Sequence, residues 1–382
     1  MKKLFLSISI LSLLFTACES DDTADIVINN NGGTDNNNPS TDVIYLSGTQ
    51  TADLTLKADK NYVLNGPLVM PAGTKLTIEP GTTVKALAEG TQVYIAILQG
   101  AQIIANGTAS KPITFTSNAA TPKAGDWGGI LIMGKAPINR GATATSEVGN
   151  FTYGGADAAD NSGVLNYVIA KYTGAKINAD AEFNGFSLYG VGSGTTINNV
   201  EAYEGADDGL EFFGGTVSAT NVVVINAEDD SVDWTDGWVG TLTNTYIKQK
   251  AEHDKIIEAD NLDTNNTAAP YSNPTIKNMT VYGDITKYTD RGAFHLRRGT
   301  KAKFSDVYIK NAPYAFLIDN TTTIDNVISK ELQATGVKLV DITTNLTVKG
   351  TSTSGKTITE ADLYTTKEVS PIDLTSWTWV SL

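Results

Sequence analysis

Seven short segments of this 382-residue chain repeat one pattern, an Asn or Asp followed by mostly apolar residues one and three places later. The polar anchor falls at Asn166, Asn199, Asn221, Asn244, Asn278, Asp306 and Asn326, with successive gaps of 33, 22, 23, 34, 28 and 20 residues. Val200/Ala202, Val222/Val224, Met279/Val281 and Val307/Ile309 follow it, a period of two that puts each pair on one face of a strand. Asn tolerates the left-handed backbone of a sharp corner, and its amide can bond to the same residue one repeat away. Strand, corner and return at such a spacing predict the stacked coils of a parallel β-helix, lengthened by insertions where the gap is long.

Earlier coils show in Leu68–Val84, which alternates apolar and polar residues around Gly73 and Gly81, and again in Ala96–Gly107 and Pro112–Thr116. The chain exceeds the ~100–200 residues of a usual domain. A solenoid escapes that limit because each coil needs only its neighbours. The 35 Gly and only four Met suit short strands and tight turns. A net charge of −14 argues against nucleic acid or an anionic membrane face as partner. The organisation expected is a single all-β solenoid over 43–355 and a terminal cap over 356–382. In that cap Ile372–Leu374 and Trp377–Trp379 would cover the last open coil.

Aligning coils on their anchors stacks acids. Asp207-Asp208-Gly209-Leu210-Glu211-Phe212 falls under Asp229-Asp230-Ser231-Val232-Asp233-Trp234, 22 residues on. The next coil, with one inserted residue, offers His253-Asp254 and Glu258, and the one after it Asp290 to His295. Carboxylates one coil apart, at the ~4.8 Å strand spacing, repel by roughly 3–4 kcal/mol at an effective dielectric of 20. Solvation, protonation or a cation must relieve that. Ca²⁺ takes six to eight oxygens, which stacked Asp side chains and turn carbonyls can supply. The candidate calcium ligands are Asp207, Asp208, Asp229, Asp230 and Asp233, with a solvated acidic turn as the alternative. Two His and one Cys leave little for a transition metal.

Aromatics accompany the acids, and rings beside hydrogen-bond acceptors suit a sugar. Trp234, Trp238 and Tyr246, with Arg297, are the candidate ligand-binding residues; Tyr203, Phe212 and Phe213 lie near them in sequence. At least one of Phe212 and Phe213 is expected to fill the core.

From Tyr62 to Trp379 the sequence resembles the right-handed parallel β-helix surface lipoproteins of Bacteroidota. The resemblance rests on Gly125-Asp126-Trp127-Gly128-Gly129-Ile130, Tyr153-Gly154-Gly155, Asp160–Leu165, Gly190–Thr196 and Asp208–Gly215. It implies a right-handed solenoid and a cell-surface setting, and brings no reaction and no catalytic residues. An enzymatic alternative comes from the fold alone, because polygalacturonases and polysaccharide lyases are also right-handed β-helices with acids on adjacent coils. Its suspects would be Asp230, Asp233, Asp254 and Arg291, with Arg297 and Lys301. The Gly-His-Gly and Arg-x-Lys of polygalacturonases do not occur here.

The N-terminus reads as an address. Two lysines, an apolar run from Leu4 to Phe15 and then Thr16-Ala17-Cys18 make residues 1–17 a lipoprotein signal, too short to span ~30 Å of hydrocarbon. Cys18, the only cysteine, is the expected lipidation site, although Phe15 stands where the motif usually has Leu. Residues 18–42, rich in Asn, Gly and Pro after an acidic start, read as a disordered tether. The acidic start resembles the surface-export signal of Bacteroidota. The expectation is an outer-membrane lipoprotein facing the exterior, with a non-catalytic binding or adhesive role. A polysaccharide is the favoured ligand and an outer-membrane protein the next partner; a structural scaffold is a further alternative.

Overall fold

The computed structural model describes residues 43–178, 181–250, 253–284 and 292–381. The signal, Cys18, the tether and Arg291 lie outside these. The described chain winds into a right-handed parallel β-helix in which each coil contributes a strand segment to three sheets. The leading sheet runs through Leu54–Leu56, Lys75–Ile78, Gln102–Asn106 and the first halves of Gly163–Lys171, Thr196–Tyr203, Ala219–Ile225, Thr241–Lys248 and Thr275–Tyr282. Their second halves continue round a corner into the middle sheet, where Val200, Val222, Thr245, Met279 and Val307 stand in parallel register. The trailing sheet stacks Ile95–Ile97, Ile130–Met133, Phe186–Tyr189, Leu210–Phe213, Val232–Thr235, Ile257–Ala259 and Phe294–Leu296.

Alternation decides what goes inside. Ile197, Val200, Leu210, Phe212, Val222, Val232 and Trp234 point into the coil and join one continuous apolar column. Such a column is the reason the solenoid needs no conventional globular core.

The corner between leading and middle sheets is the predicted one. Asn199, Asn221, Asn244, Asn278 and Asp306 all have φ between 53° and 56°. Their amides form a ladder: Asn199 Nδ2 donates to Asn166 Oδ1 (2.8 Å), Asn221 to Asn199 (2.8 Å), Asn244 to Asn221 (2.9 Å) and Asn278 to Asn244 (2.8 Å). Asn166 in turn donates to Asn106. Two anchors need correction. The left-handed residue of the first anchored coil is Tyr167, φ 51°, one place after Asn166. Asn326 is no corner: it lies in the helix Thr321–Ile328, where Ile324 and Val327 are buried three residues apart. A second left-handed column, between middle and trailing sheets, passes through Tyr172, Glu204, Asn226, Asn311 and Asp341.

The expected cap is a strap. Strand Tyr364–Thr366 still pairs with the last coil, Leu332–Lys349, so the solenoid extends past 355. The tail then turns back along the outside of the middle sheet. Ile372 N donates to Thr280 Oγ1, Trp377 and Trp379 pack on Val223, Ile225 and Tyr167, and Ser381 N donates to both oxygens of buried Glu201. Trp377 and Trp379 thus cover the flank of the coils and not their open end. Among the described residues no helix is long and apolar enough to cross a membrane.

Candidate functional site

The outward residues of the trailing sheet form a row in register: Ser187, Glu211, Asp233, Glu258, His295, Leu317. The turn just before each strand adds Asp208 and Asp230. Close stacking of these turns depends on Gly209, where a Cβ would come within 2.6 Å of Ser231 O and of the Val224 side chain. The alignment of Asp207–Phe212 under Asp229–Trp234 is therefore the real register.

Carboxylate oxygens converge along this trench. Asp208, Glu211 and Asp233 bring one oxygen each within 4.8 Å of one another, as do Asp230, Asp233 and Glu258, and Asp208, Asp229 and Asp230. Two aspartates also tie coil to coil: Asp208 Oδ1 accepts from Asp230 N at 2.9 Å, and Asp230 Oδ1 accepts from Lys255 N at 2.6 Å. Each keeps its second oxygen for another partner. Asn184, 1 % exposed, donates Nδ2 to Glu211 Oε2 at 2.7 Å and to Ser187 Oγ at 3.2 Å. Its Oδ1 and Asp233 Oδ1 are buried and accept no hydrogen bond.

The ionised form is disfavoured among these acids. Burial, and then repulsion from neighbouring acids, holds Asp208, Glu211, Asp230 and Asp233 well above the usual carboxylate range. Glu258 goes the other way: burial would raise it, but His295 and the charges of Arg297 and Lys255 bring it below its ordinary value. His295 Nδ1 stands 3.4 Å from Glu258 Oε1, and Arg297 pairs with the other oxygen of the same carboxylate. A hard cation would reverse the rise at the four other acids. The donor set fits one, since it is all oxygen, includes a neutral amide carbonyl, and leaves free lone pairs in a desolvated place.

Asp207, one of the candidate calcium ligands, has a different partner. Lys176 Nζ lies 3.0 Å from Asp207, 2.9 Å from Glu182 and 3.5 Å from Asp229. Burial pushes Asp207 up, to about 9, against the pull of that lysine. Partial burial would lower Lys176, yet the acids around it hold it above its usual range. The lysine's direction governs the pair, because an ammonium among three carboxylates stays charged and keeps its nearest partner ionised. Lys176 therefore fills the triad of Glu182, Asp207 and Asp229 as a tethered cation. The sequence alignment stacks Glu211 and Glu258 with these acids without naming them as ligands, and it gives no sign of Asn184.

The aromatic platform is not there. Trp234 and Trp238 are completely buried, Trp238 stacking on Phe212 at 3.9 Å inside the coil. Phe213 faces outward but lies under the lobe built by residues 134–161, stacked on Tyr189 at 4.0 Å. Tyr246 and Tyr203 belong to the middle sheet beside the strap, away from the acids. Both tryptophans are withdrawn as sugar-binding residues, and Tyr246 does not line the trench.

The cations around the trench are engaged. Arg297 pairs with Glu258 and, through Nε at 2.7 Å, with Asp260; Arg298 reaches Asp260 at 2.7 Å. Lys255 pairs with Asp254, which removes Asp254 from the cluster proper. Lys301 lies 3.4 Å from Glu331 and sits over the Tyr271 ring. The lobe is latched beside the trench by Asp236, which accepts from Tyr153 Oη at 2.6 Å and from Arg140 Nε at 3.1 Å.

Residues 48–380 match the family described as the pectate-lyase-like β-helix domain. The chain belongs to this family. Comparison with curated proteins and with solved structures returns no match. Membership of the pectate-lyase-like β-helix family agrees with the stacked coils, and it places an acidic trench on a fold whose name refers to polysaccharide chemistry.

Proposed function

We propose that this pectate-lyase-like β-helix protein captures a polysaccharide through calcium held in the trailing-sheet trench, without cleaving it. The observation that carries this reading is the set of buried carboxylates, Asp208, Glu211, Asp230, Asp233 and Glu258, around the unpartnered oxygens of Asn184 and Asp233. A calcium ion there would complete its shell with carboxylates or hydroxyls of a sugar. The mouth is open to solvent at Asp229, whose side chain is 34 % exposed, and at Arg298, 41 % exposed.

Two features favour binding over cleavage. Elimination from a uronate needs a group that accepts a proton near the working pH. Arg297 is clasped by two acids, which hold it above its usual range despite the opposing effect of burial. Asp230 and Asp233, the suspects for hydrolysis, gather with Glu258 in one triad whose oxygens lie within 4.8 Å of one another, the clustering that a cation's oxygen shell uses.

The setting completes the proposal: a chain lipidated at Cys18, held on the outer membrane and facing outward, with an outer-membrane protein as a further partner. Passing the purified protein over immobilised polysaccharides, with calcium and then with EGTA, tests the central part. Retention that EGTA releases, with ligand chains of unchanged length, is expected. Shortened chains or unsaturated ends would establish the lyase or hydrolase alternative. The absence of retention on any polysaccharide would leave the scaffold reading. Palmitate labelling lost in Cys18→Ser, and removal by protease from intact cells, test the anchoring.

A further inference from the structure

Two acidic triads of the trench are copies of one another. Asp208, Glu211 and Asp233 form the first, and Asp230, Asp233 and Glu258 the second. The strand register pairs Glu211 with Asp233 and Asp233 with Glu258, and Asp230 follows Asp208 by 22 residues, one coil. Moving the first triad one coil along the axis therefore gives the second. Asp233 belongs to both. It is the outer member of one and the inner member of the other.

We propose that the trench holds two divalent cations one coil apart, bridged by the Asp233 carboxylate; this rests on the calcium reading above and fixes its nuclearity. Four facts carry it. The translation of ligand types is conserved at all three positions, since each is Asp or Glu in both triads. The bridging residue has an oxygen, Oδ1, that is buried and accepts no hydrogen bond. Asn184, 1 % exposed, donates its amide nitrogen to Glu211 of the first triad, and the oxygen of the same amide is buried without a partner. Finally, the coil repeat of about 4.8 Å is slightly longer than the roughly 3.5–4 Å between metals in carboxylate-bridged pairs, so two cations on adjacent coils are not forced together.

Charge supports the count. Once ionised around bound cations, Asp208, Glu211, Asp230 and Asp233 supply four negative charges, which two dications balance. Glu258 is already paired with Arg297 and close to His295. The second position is therefore the weaker of the two, and filling is stepwise. The neighbouring triad of Glu182, Asp207 and Asp229 takes no third ion, because Lys176 occupies it.

Isothermal titration of the purified, EGTA-stripped and dialysed protein with Ca²⁺, cross-checked by equilibrium dialysis with ⁴⁵Ca²⁺, counts the ions. Two per chain in two steps of unequal affinity are expected. Glu258→Gln should lose the weaker step and keep one ion; Asp233→Asn should weaken both steps at least tenfold. One ion per chain in the unmodified protein overturns the two-cation inference and leaves the calcium reading standing. No binding overturns both. The count on the unmodified protein decides the matter even if a variant fails to fold.

Discussion

Removing calcium should make this protein less stable as the solution becomes more alkaline, a reversal of the usual behaviour of surface carboxylates. Asp208, Glu211, Asp230 and Asp233 are raised in the folded chain by burial and mutual repulsion. Unfolded, they titrate near 4. A group raised on folding lends its full stability below the unfolded value and loses it as pH climbs toward the folded one. Each such carboxyl costs about 1.4 kcal/mol per pH unit over that window, against a whole stability of roughly 5–15 kcal/mol for a typical domain. Other titratable groups facing the cluster are Glu258, Asp207, Asp229, Asp260, Glu147, His295, Lys176, Lys255 and Arg297; the acids deepen the loss, and Lys176, Lys255 and Arg297 soften it. Urea unfolding at pH 5, 6, 7 and 8, with EGTA and with millimolar calcium, is the assay. In EGTA the midpoint should fall steadily with pH. In calcium it should hold or rise, because the ion keeps the acids ionised. Coincident curves in the two buffers at every pH would refute the reasoning.

Three further outcomes follow from the same structure. Asn221→Ala removes two amide hydrogen bonds and leaves a non-glycine residue at φ 56°. A cost of about 2–4 kcal/mol is expected in urea unfolding, with Asn221→Gly milder because it tolerates that φ. Trp379→Ala should cost about 3 kcal/mol, the low end for a large buried aromatic. It should also expose the tail to limited proteolysis, with the coils resisting. Lys176→Ala leaves Glu182, Asp207 and Asp229 without their ammonium, so the melting temperature gap between calcium and EGTA should widen; a narrower gap would mean that Lys176 does not neutralise the trench.

Much of the solenoid was legible because local chemistry and geometry agree at its corner. Asn199, Asn221, Asn244 and Asn278 are the residues that left-handed backbone tolerates, and they bond to one another across coils. The same pattern misled at Asn326, since Ile324 and Val327 suit a helix face as well as a strand. The second corner carried no comparable signal: Tyr172, Glu204 and Asn226 share a backbone shape and no side-chain chemistry. Within the trench, the 22-residue offset found the true register because those two coils have equal length between strands. Alternation also held the answer on the aromatics. With Glu211 and Asp233 outward, Phe212 and Trp234 must point inward, and they do. Asn184 reaches Glu211 from a turn 27 residues earlier, and the strap folds back over coils 180 residues away and farther. Contacts of that range, from segments without a repeat, leave no mark on a single sequence.

A crystal of the purified protein grown with calcium, and measured for its anomalous signal, tests whether calcium binds among the trench carboxylates. Peaks are expected about 2.3–2.6 Å from oxygens of Asp208, Glu211 and Asp233, lost when crystals are soaked in EGTA. A map at full calcium occupancy of the medium with only water, or only the Lys176 ammonium, among those acids would contradict it.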